Sequence, residues 1–235
     1  NTTNRRIADH FRKMKGIGVI TGFIGATHKG EMTTLGRGGS DYSASIFGAA
    51  LKADEIQIWT DVDGVMTADP RKVKKAFSVP SMTYTEAMEL SHFGAKVIYP
   101  PTIQPALDAN IPVSIKNSFN PKFVGTRISE SAAEHQYLIT GISSIESIAL
   151  LRLEGSGMVG VAGVSMRLFA ALAKKEISVI LITQASSEHT ICIAVLPSSA
   201  DEAKTAIEQE FALERAMHMI EPVLIEKDVS IVSIV

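Results

Sequence analysis

At residues 33–41 the chain reads Thr33-Thr34-Leu35-Gly36-Arg37-Gly38-Gly39-Ser40-Asp41, and a helix-like stretch, Tyr42 to Lys52, follows at once. The three glycines permit backbone conformations that other residues avoid, and they let a ligand approach the chain closely. Backbone amides of a glycine-rich turn at a helix start suit a phosphate or a carboxylate. Arg37 can grip either anion with two parallel hydrogen bonds. The alternative is a plain turn that Ser40 or Asp41 caps.

A second polar loop follows an apolar strand, Glu55 to Trp59, and reads Thr60-Asp61-Val62-Asp63-Gly64-Val65-Met66-Thr67-Ala68-Asp69-Pro70-Arg71. Open α/β sheets place their ligands at the carboxyl ends of strands, where this loop lies. Two such loops in one α/β unit are less easily accidental than either loop alone. Asp41 suggests a proton acceptor or a group that binds an ammonium. We therefore predict that Arg37 and Asp61 line one cleft.

Composition limits the classes of partner. The 235 residues suffice for one large or two small domains, and a net charge of −2 argues against nucleic acid or an anionic membrane. No apolar run approaches the roughly 20 residues of a spanning helix, and no signal peptide is visible. The one cysteine, Cys192, fits a reducing compartment, so we expect a cytoplasmic protein. The six histidines never pair at zinc-ligand spacing, and we expect no metal site.

Alternating strands and helices predict an α/β domain over residues 1–129. After an opening helix over Arg5–Lys15, strands are expected at 16–23, 55–60, 112–116 and 126–129, and helices at 41–53, 84–92 and 102–109. This alternation implies a parallel sheet that helices cover. Small and polar residues from Ser129 to Glu134 then indicate a linker.

Residues 135–228 predict a second domain. Strands are expected at 146–153, 177–183, 189–196 and 219–227, and helices at 163–175 and 199–212. This βαββαβ order is that of a ferredoxin-like domain. Residues 229–235 read as the first strand of a further, truncated domain, which would leave an unpaired edge. We expect this strand to extend the chain's own sheet or to pair between two chains.

The segment Gly155-Ser156-Gly157-Met158-Val159-Gly160 fits the G-x-G-x-x-G pattern of dinucleotide sites. The strand after it ends in Gln184, however, where an acid should hold a ribose hydroxyl. The next strand also follows too closely for another βαβ crossover. A dinucleotide site is therefore disfavoured.

The first domain resembles the aspartokinases of the amino-acid kinase family. Four segments carry the resemblance in the family's order: Gly22–Ala26, Thr33–Asp41, Trp59–Arg71 and Phe93–Pro100. The resemblance implies that L-aspartate is held by Arg37, Gly39, Ser40 and Asp41, with Arg37 and Asp41 also taking catalytic roles. It implies that ATP, with Mg²⁺, is bound by Thr60, Asp61, Met66, Arg71, Lys96 and Val97. The family usually has Tyr where Met66 stands.

Kinases of this family begin with a strand and a lysine–glycine turn that supplies a catalytic lysine, whereas this chain opens at Asn1 inside a helix-like stretch. The chain thus resembles the carboxyl half of such a kinase domain. We expect no detectable phosphorylation of aspartate by this polypeptide alone. A glutamate kinase would share the nucleotide loop but not the second domain.

The second domain resembles the ACT domains of threonine-sensitive aspartokinases, including those fused to homoserine dehydrogenase. Glu154–Met158 and Ile182–His189 carry this resemblance. It implies an amino-acid effector, threonine favoured and lysine possible, whose carboxylate meets the free amides of the glycine turn. The implied effector residues are Met158, Gly163, Val164, Ile180 and Gln184. A homodimer through the ACT domains is also implied. Two functions stay open: a feedback-regulated aspartate kinase, and a non-catalytic amino-acid-binding module.

Overall fold

The computed structural model of the chain describes residues 2–92, 99–132, 138–184 and 189–235. The chain divides into two units, one formed by Asn1–Ser144 with Val232–Val235 and the other by Ile145–Ile231. The linker expected from Ser129 to Glu134 lies partly outside the described residues.

The first unit combines a hairpin with a mixed sheet. Its helices are α1 (Thr2–Phe11), α2 (Gly39–Leu51), α3 (Tyr84–His92) and α4 (Pro100–Asp108). Its strands are β1 (Ile24–Ala26), β2 (Met32–Thr34), β3 (Ile56–Thr60), β4 (Ser81–Thr83), β5 (Val113–Asn117) and β6 (Thr126–Ser129). β1 and β2 pair with each other, and the other four strands form a sheet in the order β3-β5-β6-β4.

The prediction of an all-parallel sheet is wrong for one pair of strands. β3 and β5 are parallel, as are β4 and β6, but β5 and β6 are antiparallel. Only residues 118–125 connect β5 to β6. Because a parallel crossover needs about a dozen residues or more, this short connection returns the chain in the opposite direction.

The prediction of a strand at 16–23 is also wrong. The described residues there have no strand, and Ile17 and Val19 are 96% and 94% exposed. The first strand begins only at Ile24, where β2 supplies a partner. An apolar run can be buried in a sheet only where a neighbouring strand satisfies its backbone groups.

Helix α2 and strand β3 are joined tightly. A connection of four residues, Lys52–Glu55, reverses the chain between them. Near the end of α2, Gly48 lies against Ile56 at the start of β3, so closely that a Cβ on the glycine would be 2.5 Å from Ile56 Cδ1. The start of α2 therefore lies toward the end at which β3 finishes.

The second unit has the ferredoxin-like order that the sequence predicts. Its elements are β7 (Ile142–Glu154), α5 (Val164–Ala173), β8 (Leu181–Gln184), β9 (Thr190–Val195), α6 (Ala200–Glu210), α7 (Ala212–Ala216) and β10 (Leu224–Ile234). The sheet order is β10-β7-β9-β8, so the first and third strands of the motif lie at the centre. One face packs on α5 and α6 through buried residues that include Leu151, Leu168, Ile193, Ile207 and Phe211.

Strand β10 replaces two expected segments. The strand predicted at 219–227 starts only at Leu224, because the chain turns at His218, which has φ 55°, and then passes Pro222. β10 continues through the tail to Ile234 and lies beside β7, so the tail extends this chain's own sheet. The assignment of residues 229–235 to a further domain stays a prediction.

Three further observations concern the described residues as a whole. None of their helices combines the length and apolar composition needed to cross a membrane. They hold no group of three or more His, Cys, Asp or Glu side chains that could bind a metal ion. Cys192 is free and half-buried in β9, and burial raises the pKa of its thiol.

Candidate functional site

The glycine-rich turn before α2 is built by tight packing. Gly36 and Gly38 adopt φ 76° and 67°, and the Gly39 amide donates to the Gly36 carbonyl at 3.1 Å. A Cβ on the buried Gly39 would lie 2.8 Å from the Phe23 ring. The Ser43 hydroxyl ties these parts together, because it accepts from the Phe23 amide at 3.0 Å and donates to the Gly39 carbonyl at 2.8 Å. The turn therefore has a fixed shape.

Arg37 and Asp41 are the two charged groups of this turn. The Arg37 guanidinium lies 5.7 Å from the centre of the Tyr99 ring, just before α4. Asp41 is half-buried in the first turn of α2, and this burial raises the pKa of its carboxyl group. Ser40, between them, is exposed. An exposed guanidinium and a partly buried carboxylate, four residues apart in one turn, are groups suited to the two charged ends of an amino acid.

The second loop begins where β3 ends. Thr60 pairs with Asn117 in the parallel ladder, and the Ser118 amide adds one more hydrogen bond to the Thr60 carbonyl at 2.8 Å. The Thr60 hydroxyl donates to Asp61 Oδ1 at 3.0 Å, and the Asp61 side chain is exposed. Met66 lies farther along the loop, half-buried, and bridges to Ser78.

Asp63 holds the second loop in place, a role that sequence reasoning missed. Its Oδ1 accepts from Asn117 Nδ2 at 2.9 Å and from Asn120 Nδ2 at 3.2 Å. Its backbone carbonyl accepts from the Ser78 hydroxyl at 2.6 Å. The available signal was the pair of asparagines directly after a predicted strand, since amide side chains at strand ends often fix a neighbouring loop.

The remaining predicted nucleotide residues differ in status. Arg71 forms a bidentate pair with Asp69, with an Nη2–Oδ2 distance of 2.7 Å, and this contact lowers the pKa of Asp69 to about 2. A phosphate would therefore compete with Asp69 for the Arg71 guanidinium. Lys96 and Val97 lie outside the described residues.

The connections between elements indicate that the two predicted loops lie toward one end of the first unit. The start of α2 lies toward the end at which β3 finishes, and β5 finishes level with β3. The start of α4 is there as well, because a Cβ on Gly38 would lie 2.8 Å from Thr102 Cγ2. From this connectivity we infer that the turn with Arg37 lies toward the carboxyl edge of the sheet, where the loop with Asp61 begins and where ligands of open α/β sheets bind.

A separate cavity lies in the second unit. It has a volume of about 190 Å³ and is lined by Met158, Val161, Gly163, Val164, Ser165, Gln184 and Ile191. Four of the five predicted effector residues are among these, whereas Ile180 is not. The Ile180 amide instead donates to the Ala194 carbonyl at 2.8 Å. The cavity is smaller than the roughly 300–1,000 Å³ of drug-sized pockets, which suits a small ligand.

Packing explains the G-x-G-x-x-G segment. A Cβ on Gly155 would lie 2.6 Å from Ile220 Cα, and one on Gly157 would lie 2.7 Å from Met219 Cβ. The Gly157 amide donates to the Met219 carbonyl at 2.9 Å. The first two glycines therefore admit the neighbouring chain, and Gly160 adopts φ 68°.

An arginine connects the helix at the cavity to the next two helices. On α5, Arg167 Nε donates to Glu210 Oε1 at 2.9 Å, and Nη1 donates to Glu214 Oε1. Its guanidinium carbon lies 4.5 Å from the centre of the fully buried Phe211 ring. The pKa of Glu214 is lowered, first by its hydrogen bond from Arg167. This cluster fixes α5, whose first residues line the cavity.

Comparison with known proteins adds the family. Residues 2–117 match the model of the amino acid kinase family, and residues 151–211 match a model of an ACT domain. The chain is 46% identical over 234 residues to a bifunctional aspartokinase/homoserine dehydrogenase of Haemophilus influenzae, with 100% of this chain and 29% of the relative covered.

Solved aspartate kinases have the same fold. The enzyme of Clostridium acetobutylicum superposes with a TM-score of 0.84 at 27% identity, over 99% of this chain and 53% of that one. Aspartokinase III of E. coli, in complex with aspartate and ADP, gives a TM-score of 0.71 at 33% identity, over 91% and 47%. The chain thus spans less than a third of the bifunctional relative and about half of these solved chains. It belongs to the amino acid kinase family, among the aspartokinases, and carries an ACT domain after its kinase portion.

Proposed function

We propose that this chain is part of an aspartate kinase, which transfers the γ-phosphoryl group of ATP to the side-chain carboxylate of L-aspartate. The arrangement of the Arg37 turn and the Asp61 loop at one sheet edge carries this proposal. The E. coli relative, which was crystallised with aspartate and ADP, supports it. Phosphoryl transfer depends mainly on positioning and charge neutralisation, which a fixed turn and a fixed loop can provide.

Each group then has a task. Arg37 grips a carboxylate of aspartate, with Gly39 and Ser40 beside it, and Asp41 faces the ammonium. Thr60, Asp61, Met66 and Arg71 bind the nucleotide, with Lys96 and Val97 completing its site. Mg²⁺ would arrive with the nucleotide phosphates and neutralise their charge, and the exposed Asp61 carboxylate suits a ligand of this hard cation.

A binding measurement tests the nucleotide site. Trp59 is the one tryptophan, is 46% exposed and directly precedes Thr60, so its fluorescence should report nucleotide binding. We expect ADP with Mg²⁺ to change this emission, and D61N to weaken binding about tenfold or more. The exposed Asp54, before the start of β3, provides the control variant D54N, which should bind normally. Equal binding by D61N and D54N would contradict the assignment.

An activity measurement tests the reaction. The polypeptide encoded by the complete reading frame is incubated with ATP, Mg²⁺ and L-aspartate, and aspartyl phosphate is trapped with hydroxylamine. We expect product from the unaltered enzyme and a loss of at least about 100-fold in kcat/KM for R37A, because a carboxylate loses its bidentate partner. Phosphorylation of glutamate in place of aspartate would refute the assignment of L-aspartate as the substrate.

For the second unit we propose that the 190 Å³ cavity binds a small amino-acid effector, with threonine favoured over lysine. Gln184 and Ser165 offer polar groups beside Met158, Val164 and Gly163. Among the described lining residues none is acidic, so the ammonium of a lysine side chain would lack a counter-charge. Lysine stays possible because the E. coli relative was crystallised with lysine.

Calorimetric titration of each amino acid decides the effector. Threonine should bind, and Q184A should weaken threonine binding by about tenfold to 150-fold, since the loss of one hydrogen bond to a charged group costs about 1.5–3 kcal/mol. S199A, at the start of α6, is the control. Tighter binding of lysine than of threonine would overturn the choice of effector.

A second candidate function rests on the same cavity, because its described lining belongs to one unit of this chain. A non-catalytic effector-binding module would bind the amino acid without phosphoryl transfer. We further propose a homodimer through the ACT domains and a reducing compartment such as the cytoplasm, for which the single cysteine is the support. The mass in solution tests the dimer.

A further inference from the structure

An exposed aromatic ring lies at the end of β5, beside the proposed nucleotide loop. Phe119 is 84% exposed, although it belongs to a short loop with many hydrogen bonds. Its position follows from the ladder, because Asn117 pairs with Thr60 and the Ser118 amide donates to the Thr60 carbonyl at 2.8 Å. Phe119 is therefore the second residue beyond the point where β5 finishes level with β3.

The loop that carries Phe119 is tied to the nucleotide loop through side chains. The Phe119 amide donates to Asn117 Oδ1 at 2.8 Å, and the Asn117 amide group donates to Asp63 Oδ1 at 2.9 Å. Asn117 is only 8% exposed, so both of its hydrogen bonds are shielded from water. Asn120 also donates to Asp63 Oδ1, at 3.2 Å. These contacts fix the backbone of Phe119 relative to the loop that begins at Thr60.

A fixed backbone with an exposed ring is an arrangement suited to stacking. Exposing a phenyl ring to water is unfavourable, and a nucleobase would cover it with a flat apolar face. Stacking tolerates any base and contributes roughly 5- to 150-fold in affinity per stacked base. Thr60 and Asp61, the first residues of the nucleotide loop, are polar and suit ribose and phosphates. Met66 is half-buried farther along that loop, so the exposed Phe119 ring offers an aromatic face that Met66 does not supply to the base.

We propose that Phe119 stacks on the purine base of the bound nucleotide, and that the Asp63–Asn117 contact positions it there. The inference rests on the proposed nucleotide-binding function and adds a base-binding residue to it. Asp63 is a positioning residue, because it acts on the ligand through Asn117.

The test compares a nucleotide with a ligand that has no base. Dissociation constants of ADP and of inorganic tripolyphosphate, each with Mg²⁺, are measured by Trp59 fluorescence on the polypeptide of the complete reading frame. For F119A we expect ADP affinity to fall about tenfold and tripolyphosphate affinity to stay unchanged. F119Y keeps a ring and should bind ADP normally. F123A, in the same loop, is the matched control and should change neither constant.

A double-mutant cycle tests the role of Asp63. D63A should weaken ADP binding. The loss of ADP affinity in the D63A/F119A double variant should be smaller than the product of the two single losses, because both substitutions act on one contact. D63N keeps an oxygen acceptor and should restore most of the affinity. An additive cycle would refute the positioning role.

Three outcomes would overturn the inference as a whole. Equal ADP affinity of F119A and the unaltered protein would remove the stacking contact. Equal losses for ADP and tripolyphosphate would show that the variant disturbs the phosphate site or the fold. A change in the oligomeric state of F119A, measured as the mass of the particle in solution, would assign the ring to a protein interface. By contrast, absence of ADP binding by the unaltered protein would refute the proposed function itself.

Discussion

Replacing Arg167 with methionine should destabilise the second unit more than any loss of a surface ion pair would. Methionine keeps much of the apolar stem but removes the contacts to Glu210 and Glu214 and the cation above Phe211. The side chains of Arg167 and Glu214 are 33% and 21% exposed, so these contacts lie between surface and buried pairs. Surface pairs contribute about 0–1 kcal/mol and hydrogen bonds to charged groups about 1.5–3 kcal/mol.

The cation–π contact with Phe211 adds about 0.5–1 kcal/mol to these contributions. We therefore expect R167M to lower the free energy of unfolding by about 2–3 kcal/mol. A unit of this size loses about 4–8 °C in Tm per kcal/mol, so its Tm should fall by about 10–20 °C. Scanning calorimetry of the whole chain measures this shift. The control is K227M, which breaks an exposed pair with Asp201 at 3.1 Å and should lower the Tm by a few degrees at most. Equal shifts for R167M and K227M would refute the reasoning.

Three further predictions concern single side chains. G125A should lower the free energy of unfolding by about 3 kcal/mol or more, measured in urea, because Gly125 has φ 79° and a Cβ would overlap the Ile115 carbonyl oxygen; an unchanged midpoint would contradict this. D41N should raise the Tm at pH 7, because burial raises the pKa of Asp41 and makes its ionised form costly, and it should also weaken binding of aspartate. The gain in Tm should vanish at low pH, where Asp41 is protonated. Because the folded-state pKa of Glu214 is lowered, its contribution to stability is fully present above its unfolded pKa of about 4.3 and is lost as the pH falls through the lower folded value. The urea midpoint should therefore fall as the pH is lowered from 6 to 3, and R167M should reduce this dependence on pH.

Local signals explain the elements that the sequence predicted well. Helix α3 occupies 84–92 and strand β6 occupies 126–129, both at the predicted bounds. At the start of α3, the Thr83 hydroxyl accepts from the Glu86 amide at 3.2 Å, and Glu86 Oε2 accepts from the Thr83 amide at 2.7 Å. This capping box is readable from a Thr and a Glu three residues apart.

Non-local contacts explain what the sequence could not show. The antiparallel β5–β6 pair and the missing strand at 16–23 depend on which strands are neighbours. Asp63 and Asn117 are far apart in the sequence, so their hydrogen bond could not be read from spacing. At the sites, residue type and position identified Arg37 as a candidate, and the family resemblance identified Gln184. Ser165 gave no local signal and lines the cavity only through the position of α5.

The lone sulfhydryl of the sheet makes local opening measurable without any label built into the protein. Cys192 is half-buried in β9 and its pKa is raised, so the reactive thiolate is scarce at neutral pH while the sheet is intact. Separation of the central strands would expose the sulfur fully and lower this pKa, so alkylation by a maleimide or an iodoacetamide should be faster in molecules that have opened. Because no other cysteine competes, the rate would follow the local opening of the second unit alone, and an amino acid bound in the proposed effector cavity would slow it.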